Sequence, residues 1–401
     1  MLKLIWTPSA AGAPDDPDYP GAIDTLGIDG GTTVQDFRKG DAGAPDPDQA
    51  LAAALDGWLA GRADPAAPIP VMVHGYQFDP SNHLGGGADD PYHLVYGVPG
   101  TLYGGAQRPL DYHQSWLPLV GECDDQGQNR KNAAIAFAWV SEASLADYAR
   151  ACWDNDYKYA ALDLAPLAAR ALAAVLAHLA TRNITVRILA HSLGTRTVCQ
   201  AVGLLMAAKK PAAIDRIVLL GGAEFCVDAA ANYAACGFDV INLASRVDKV
   251  LSLGAEQGCH PVRQNGSLAA MVIGREGLGA NPRWLDLQLD HVPLVDWCRR
   301  GFAPTGAPYQ INAEAESASH PMASLNHWAY YTNDGNRKLV RDLLLAPAMT
   351  IANLNSNHVP GGVDSPAYGD FGEALIPQTP GACDARRPQA ATDAGGPGGS
   401  G

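Results

Sequence analysis

A single serine stands where an apolar, β-branched run meets a run with helical spacing, in ITVRILAHSLGTRTVCQAVGLLM (184–206). A serine hydroxyl is a poor nucleophile until a base takes its proton, and it must protrude from the sheet to reach a substrate carbonyl. A tight strand-to-helix turn meets both needs if the residues two before and two after the serine are small, as Ala190 and Gly194 are here. The stretch A-H-S-L-G therefore predicts a nucleophile at Ser192. The alternative is that Ser192 only caps the helix, because serine is also favoured there.

The same turn places a backbone donor beside the serine. Leu193 follows Ser192 at the predicted start of the helix. Its N–H would face a developing oxyanion and would be reinforced by the positive end of the helix dipole. We therefore predict that Leu193 contributes one N–H group to an oxyanion hole.

The elements around this turn follow an alternating order. Short apolar runs predict buried strands, and apolar residues at three- and four-residue spacing predict helices. The predicted strands are 69–75, 133–140, 184–190, 215–222 and 238–245, and the predicted helices are 162–182, 194–210 and 336–345. This order is typical of an α/β fold with a mostly parallel central sheet and helices on both faces.

Three regions break the alternation. Residues 7–48 are rich in Pro, Gly and Asp and predict an irregular edge. Two long insertions are predicted at about 78–118 and 251–324, and both should rise near the carboxyl ends of the strands, where such sheets place their sites. We expect one domain over residues 1–345 and a C-terminal extension over 346–401, whose Gly-rich end has the composition of a flexible linker.

Four segments carry a resemblance to a known superfamily. They are VMVHGY, IAFAWVSEASLADYARACWDNDYKYAALDLAPL, VRILAHSLGTRTV and VINLASRVDKVLSLG, in that order. With them the chain resembles the alpha/beta-hydrolase superfamily, and within it the bacterial group named domain of unknown function 900. The resemblance implies an alpha/beta-hydrolase fold and a Ser-His-Asp triad. Ala190 departs from the commoner glycine, and the first insertion is longer than the group leads one to expect.

The acid of such a triad should follow the nucleophile, at the end of a later strand. Asp248 lies just past the strand predicted in VINLAS and is the first candidate. Glu224 and Asp228 are its rivals. Asp248 could instead be a solvated turn residue that pairs with Arg246 or Lys249.

The base should come last in the chain. The histidines after Asp248 are His260, His291, His320, His327 and His358. The resemblance places the base in the loop before the closing helix, which implies His327. His320 is the second candidate.

The second oxyanion donor is also implied by the resemblance. It points to the backbone N–H of Tyr76, which follows His74 and Gly75 at the end of a predicted strand. His74 itself is interpreted as a structural histidine that supports this loop. Aromatic residues of the first insertion predict an apolar wall beside it. The candidates for substrate contact are Gln77, His191, Tyr92, Tyr96 and Tyr103.

Composition limits the partners. Lys plus Arg number 28 against 42 Asp plus Glu, so the net charge is 28 − 42 = −14, which disfavours nucleic acid and anionic lipid. The start has no signal-peptide pattern, and the most apolar segment, 171–180, is about half a membrane span. The eight cysteines lack metal-ligand spacing. We expect a cytoplasmic protein without a membrane span, metal or other cofactor, and with free buried thiols.

The predicted activity is hydrolysis of a small carboxylic ester, with an apolar or aromatic substrate favoured, through an acyl-enzyme on Ser192. Acyl transfer or thioester hydrolysis would use the same residues. An amidase or peptidase, and a non-catalytic binding protein with a hydrolase-like fold, are further alternatives. The oligomeric state does not follow from the sequence.

Overall fold

The computed structural model is built around one sheet, and it describes residues 1–7, 22–26, 47–76, 78, 95–96, 115–125, 128, 131, 133–141, 160–209, 213–256, 271–279, 281–301, 308–314 and 325–363. Within these residues the strands are β1 Leu2–Thr7, β2 Ala22–Leu26, β3 Ile69–Val73, β4 Ile135–Trp139, β5 Val186–His191, β6 Ile214–Leu220, β7 Asp239–Ala244 and β8 Trp284–Gln288.

The strand order across the sheet is β2-β1-β4-β3-β5-β6-β7-β8. The edge pair β1 and β2 is antiparallel, and all the other neighbouring pairs are parallel. The carboxyl ends of the parallel strands therefore lie along the same end of the sheet, which is called its carboxyl edge below. The predicted α/β class with a mostly parallel sheet is confirmed.

Helices cover both faces of this sheet. Among the described residues they are α1 Pro47–Ala60, α2 Ala160–Thr181, α3 Gly194–Ala207, α4 Cys226–Tyr233, α5 Lys249–Glu256, α6 Ile273–Glu276, α7 Val292–Arg300, α8 Ala329–Thr332, α9 Asp334–Leu345 and α10 Ile351–Ser356. Successive residues of a strand pack in two separate hydrophobic cores, one on each face of the sheet. Ile188 packs with α2 and α3, while Leu189 packs with α7, α9 and α10. Both strand faces are apolar because both are buried.

Helix α2 matches its predicted range closely, but its apolar segment is longer than the sequence led us to expect. Its segment Leu164–Thr181 is long and apolar enough to cross a membrane by length and composition, with a mean hydropathy of 1.5. In the fold, 56% of that segment is buried, and Leu172, Val175 and Leu179 pack in one core with the sheet. It is thus packed as a core helix, and the estimate of half a span was too short.

Three predicted boundaries need correction. The region 7–48 contains the edge strand β2, and the supposed insertion 251–324 contains the last strand, β8. Strand β8 was missed because buried polar residues, Asp286 and Gln288, interrupt its apolar pattern. The domain also continues past residue 345, since α10 packs in the core and Gly362 forms a parallel bridge with Leu287. Residues 364–401 lie outside the described part of the chain.

Candidate active site

The turn at Ser192 is as tight as the sequence predicts. Ser192 follows β5 directly and has φ +52°, in the left-handed region that is strained for a non-glycine residue. Its N–H donates to the carbonyl of Leu220 at 2.9 Å, which ties the turn to β6. The N-cap of α3 is Leu193, without any side-chain cap. Ser192 is therefore not a capping residue, and its hydroxyl points elsewhere.

Gly194 makes this turn possible because the first turn of α3 presses against the end of β3. A Cβ on Gly194 would overlap the carbonyl oxygen of His74 and would lie 2.6 Å from that of Val73. Backbone atoms cannot move aside as a flexible side chain can. The small residue two positions after the serine is thus a packing requirement.

Gly194→Ala is expected to lower the free energy of unfolding by at least about 2 kcal/mol through this overlap. Gly57→Ala is the matched control, because Gly57 lies in α1 and a Cβ there would meet no described atom within 4 Å. That change should stabilise by about 0.5–1 kcal/mol, since alanine loses less backbone entropy in a helix. Urea unfolding of the three proteins measures both. Equal stability of Gly194→Ala and wild type would contradict the close packing at the turn.

Three distant residues meet at the serine hydroxyl. The Nε2 atom of His327 lies 2.7 Å from Ser192 Oγ, and its Nδ1 lies 2.7 Å from Asp248 Oδ2. Because a carboxylate can only accept, Nδ1–H donates to Asp248, and Nε2 of the neutral ring accepts from the serine hydroxyl. All three side chains are buried. The structure thus brings together the three residues predicted for a triad.

Asp248 is held as an acceptor by further donors. It follows β7 at the head of α5, where Oδ1 accepts the N–H of Leu251 at 3.1 Å. Oδ2 also accepts the hydroxyl of Tyr330 at 3.2 Å. Arg246, a suggested partner, instead pairs with Glu276 at 2.8 Å. Asp248 is therefore an oriented, buried carboxylate and not a solvated turn residue.

The rival acids lie elsewhere. Glu224 is fully buried and forms an ion pair with Arg196 at 2.9 Å. Burial raises the pKa of the Glu224 carboxyl, and the Arg196 charge opposes that shift. Asp228 lies in the first turn of α4. Of the three candidate acids, Asp248 is the one in contact with His327.

Among the candidate bases that the structure describes, His327 is the one at Ser192. It lies in the turn before α8, after Asn326, which has φ +61° and donates its side-chain N–H to the carbonyl of Val247 at 3.2 Å. His291 is the N-cap residue of α7, and His358 is exposed after α10. His260 and His320 lie outside the described residues.

The fold and the turn agree with a family model. A model described as an alpha/beta hydrolase of unknown function (DUF900) matches residues 110–232, which include β4, β5, Ser192 and β6. The match covers less than half of the 401 residues, and the parallel sheet extends the likeness beyond it. The family match and the parallel sheet support the assignment of this chain to the alpha/beta-hydrolase superfamily.

A solved structure similar to this chain is that of Aspergillus fumigatus lipase B, at 12% identity and a TM-score of 0.27. The alignment covers 79% of this chain and 63% of the lipase chain, so this chain spans less than two thirds of the lipase's length. A TM-score of that size carries no argument about the site. Among curated proteins, no sequence matches this chain significantly.

The loop after β3 passes directly against the nucleophile. A Cβ on Gly75 would lie 2.7 Å from Ser192 Cβ, so only glycine allows this approach. The Gly75 carbonyl accepts from Ser141 Oγ–H at 2.7 Å. Because the peptide is planar and trans, the N–H of Tyr76 points away from Ser141. Gln77, the neighbouring candidate, lies outside the described residues.

His74 supports this loop as the sequence predicts. Its Nδ1–H donates to the Gly75 carbonyl at 2.8 Å, and its Nε2 accepts the N–H of Trp139 at 3.0 Å. Burial lowers the pKa of His74 to about 3, so the ring is neutral at ordinary pH. It contacts the end of β4 and the loop, not Ser192 Oγ.

One predicted substrate contact, Tyr96, needs correction. Tyr96 is fully buried, and its hydroxyl donates to the carbonyl of Phe137 at 2.6 Å and accepts the N–H of His74 at 3.0 Å. It therefore packs the insertion onto the body, as does the fully buried Trp116. His191 is buried too, and its ring contacts the backbone of His327. Tyr92 and Tyr103 lie outside the described residues.

Sequence reasoning missed two supporting hydroxyls. Tyr330 donates to Asp248, and Ser141 donates to the Gly75 carbonyl in the loop after β3. The signal for Tyr330 was its position three residues after His327, which is one helical turn. Ser141 follows β4 within the segment IAFAWVSEASLADYARACWDNDYKYAALDLAPL, but the resemblance assigned it no role. In the described part of the chain, no group of three His, Cys, Asp or Glu side chains could hold a metal ion.

Proposed function

We propose that this alpha/beta hydrolase is a serine esterase that cleaves a carboxylic ester through an acyl-enzyme on Ser192. The observation that carries the proposal is the continuous chain of two 2.7 Å contacts from Ser192 Oγ through His327 to Asp248, at a strained turn. This order of contacts supports the proposal, because a nucleophile, a base and an orienting carboxylate are arranged in this way in Ser-His-Asp triads.

In the first half-reaction Ser192 Oγ attacks the ester carbonyl while His327 Nε2 takes its proton. Asp248 keeps the proton on Nδ1 and stabilises the imidazolium that forms. The N–H groups of Leu193 and Tyr76 are proposed to hold the oxyanion of the tetrahedral intermediate. As this intermediate collapses, the C–O bond to the leaving alcohol breaks and His327 returns the proton to that oxygen. Water, activated by His327, then releases the acid and restores Ser192.

The side chains around the triad support an apolar acyl or alcohol group. Tyr76, Val247 and Trp328 are half-buried apolar residues, each adjacent in sequence to the oxyanion loop, the acid or the base. The ring of Trp328 lies edge-on to His327, with centroids 5.5 Å apart. Together with the net charge of −14, these residues favour a neutral ester over an anionic one.

Labelling with a fluorophosphonate probe tests the proposal. Phosphonylation should occur on Ser192, mapped by mass spectrometry, because an activated serine displaces fluoride from the probe. Ser192→Ala should stay unlabelled, and Ser356→Ala, a change of an exposed serine in α10, should label like wild type. A folded wild type without adduct, or with an adduct at another residue, would overturn the proposal and favour a binding protein.

Turnover of p-nitrophenyl esters of increasing chain length then tests the apolar preference. We expect kcat/KM to rise from acetate to longer acyl chains. Hydroxylamine or a small alcohol added as acceptor separates hydrolysis from acyl transfer. An acyl product that forms mainly on the acceptor at low concentration would assign the chain to acyl transfer with the same three residues.

A further inference from the structure

The histidine beside the nucleophile is unused by the mechanism above. His191 ends β5 and is 4% exposed. Its Nε2 lies 2.9 Å from the backbone carbonyl oxygen of His327, which is 136 residues away along the chain. A carbonyl can only accept, so His191 donates Nε2–H to it. His191, the residue before Ser192, thus holds the backbone of His327.

His191 also borders the oxyanion loop. The nearest atoms to a Cβ placed on Gly75 include Nδ1 of His191, at 3.4 Å. The His191 ring therefore lies between the loop that carries His327 and the loop that carries Gly75 and Tyr76. The backbone of His191 itself belongs to the turn at Ser192. These three segments must keep their spacing within a fraction of an ångström for proton transfer and oxyanion binding.

The surroundings of His191 keep its ring fixed and neutral. The ring of Tyr331 meets it edge-on at 5.0 Å, and the ring of His327 lies 4.6 Å away. Burial, followed by the nearby charge of a protonated His327, lowers the pKa of His191 well below its usual value. A neutral donor suits this position, because a second cation here would oppose formation of the His327 imidazolium.

The bond from His191 adds to the contacts that hold the loop carrying His327. Asn326 has a strained left-handed backbone, and its carbonyl accepts the N–H of Ala329 at 3.2 Å. The carbonyl of His327 itself is bonded to His191.

We propose that His191 is a positioning residue for the esterase reaction: its Nε2–H fixes the backbone of His327 and thereby aligns the imidazole between Ser192 and Asp248. The proposal rests on the proposed function for its kinetic consequences, but its geometric core concerns the orientation of His327 alone. It predicts that donor capacity at position 191, and not charge or an aromatic ring, is what matters.

Two variants separate these properties. His191→Leu fills similar space without a donor, and we expect kcat for an activated ester to fall about 10- to 100-fold, the range found when a supporting group around a site is removed. KM should change less than about threefold, because the residue acts on proton transfer and not on substrate binding. His191→Gln keeps an N–H donor and should recover most of kcat. His358→Gln, at an exposed histidine, is the control.

A proton NMR signal reports the same geometry without turnover. The Nδ1–H of His327, bonded to Asp248, should give a far-downfield resonance that is assigned by its absence in His327→Ala. We expect the resonance to broaden or shift in His191→Leu and to persist in His191→Gln and in His358→Gln. Because this readout needs no substrate, it still tests the positioning role if Ser192 proves unreactive.

The unfolding midpoint of each variant completes the test. Unchanged kcat and an unchanged resonance in a folded His191→Leu protein would overturn the proposal. Equal loss in the leucine and glutamine variants would overturn it as well, since donor capacity would then be irrelevant. A fall in kcat that only follows a lowered unfolding midpoint, with the resonance intact, would reduce His191 to a packing residue.

Discussion

Replacement of His327 by alanine is expected to lower kcat by about four to six orders of magnitude, the scale seen when one member of a serine triad is removed. The reason is the 2.7 Å contact between His327 Nε2 and Ser192 Oγ, which places the base where the serine proton leaves. Without it the hydroxyl attacks at its ordinary, very low nucleophilicity, and the leaving alcohol lacks a proton donor. The measurement is kcat with a p-nitrophenyl ester at saturating substrate, over multiple turnovers.

The decisive feature of that experiment is non-additivity. Ser192 and His327 act in one proton transfer, so the double variant Ser192→Ala/His327→Ala should be no slower than Ser192→Ala alone. His291→Ala serves as the control, because His291 is the N-cap residue of α7 and contacts neither Ser192 nor Asp248 in the described structure. Losses that multiply in the double variant would show that the two residues work independently and that the triad assignment is incorrect.

The second large effect is expected at the acid. Asp248→Asn should lower kcat by about 10⁴-fold, the loss known where a buried carboxylate orients a catalytic histidine. The donors around this side chain explain why an amide cannot substitute. Oδ1 accepts from Leu251 N–H, while Oδ2 accepts from both His327 and Tyr330. An asparagine has one oxygen, so its NH₂ group must face at least one of these donors.

If the NH₂ group faces His327, Nδ1 must become the acceptor and Nε2 must carry the proton. That tautomer donates to Ser192 Oγ and cannot take the serine proton. If the NH₂ group faces Leu251 instead, two buried donors oppose each other and the start of α5 is destabilised. Either orientation impairs the site, and kcat measured beside the urea unfolding midpoint distinguishes them.

Glu224→Gln is the matched comparison for Asp248→Asn. Both carboxylates are fully buried near the carboxyl edge of the sheet, and both changes remove one negative charge. Glu224 pairs with Arg196 and not with His327, so it lies apart from the reacting atoms. We therefore expect the folded Glu224→Gln variant to keep kcat within about fivefold of wild type. A loss at Glu224→Gln as large as that at Asp248→Asn would contradict the choice of acid.

Local patterns were enough to predict much of this arrangement. The alternation of apolar runs predicted the parallel sheet and its covering helices, because strand and helix periods are properties of a few consecutive residues. The turn at Ser192 was predictable for the same reason, since its small neighbours are read directly from A-H-S-L-G. Asp248 and His327 followed from chain order once the superfamily resemblance was recognised. Strand β8 did not, because its buried Asp286 and Gln288 obscure the apolar pattern.

What the sequence by itself determined is therefore the fold class, the position of the turn and a short set of candidate acids and bases. The tertiary structure alone decided which candidates meet. Asp248 was separated from Glu224 by its contact with His327, and Tyr96 proved to be a core residue whose hydroxyl bonds strands at the sheet centre. His191 gained its partner from across 136 residues of chain. Such contacts depend on how distant segments pack, and no local pattern of residue types encodes that distance.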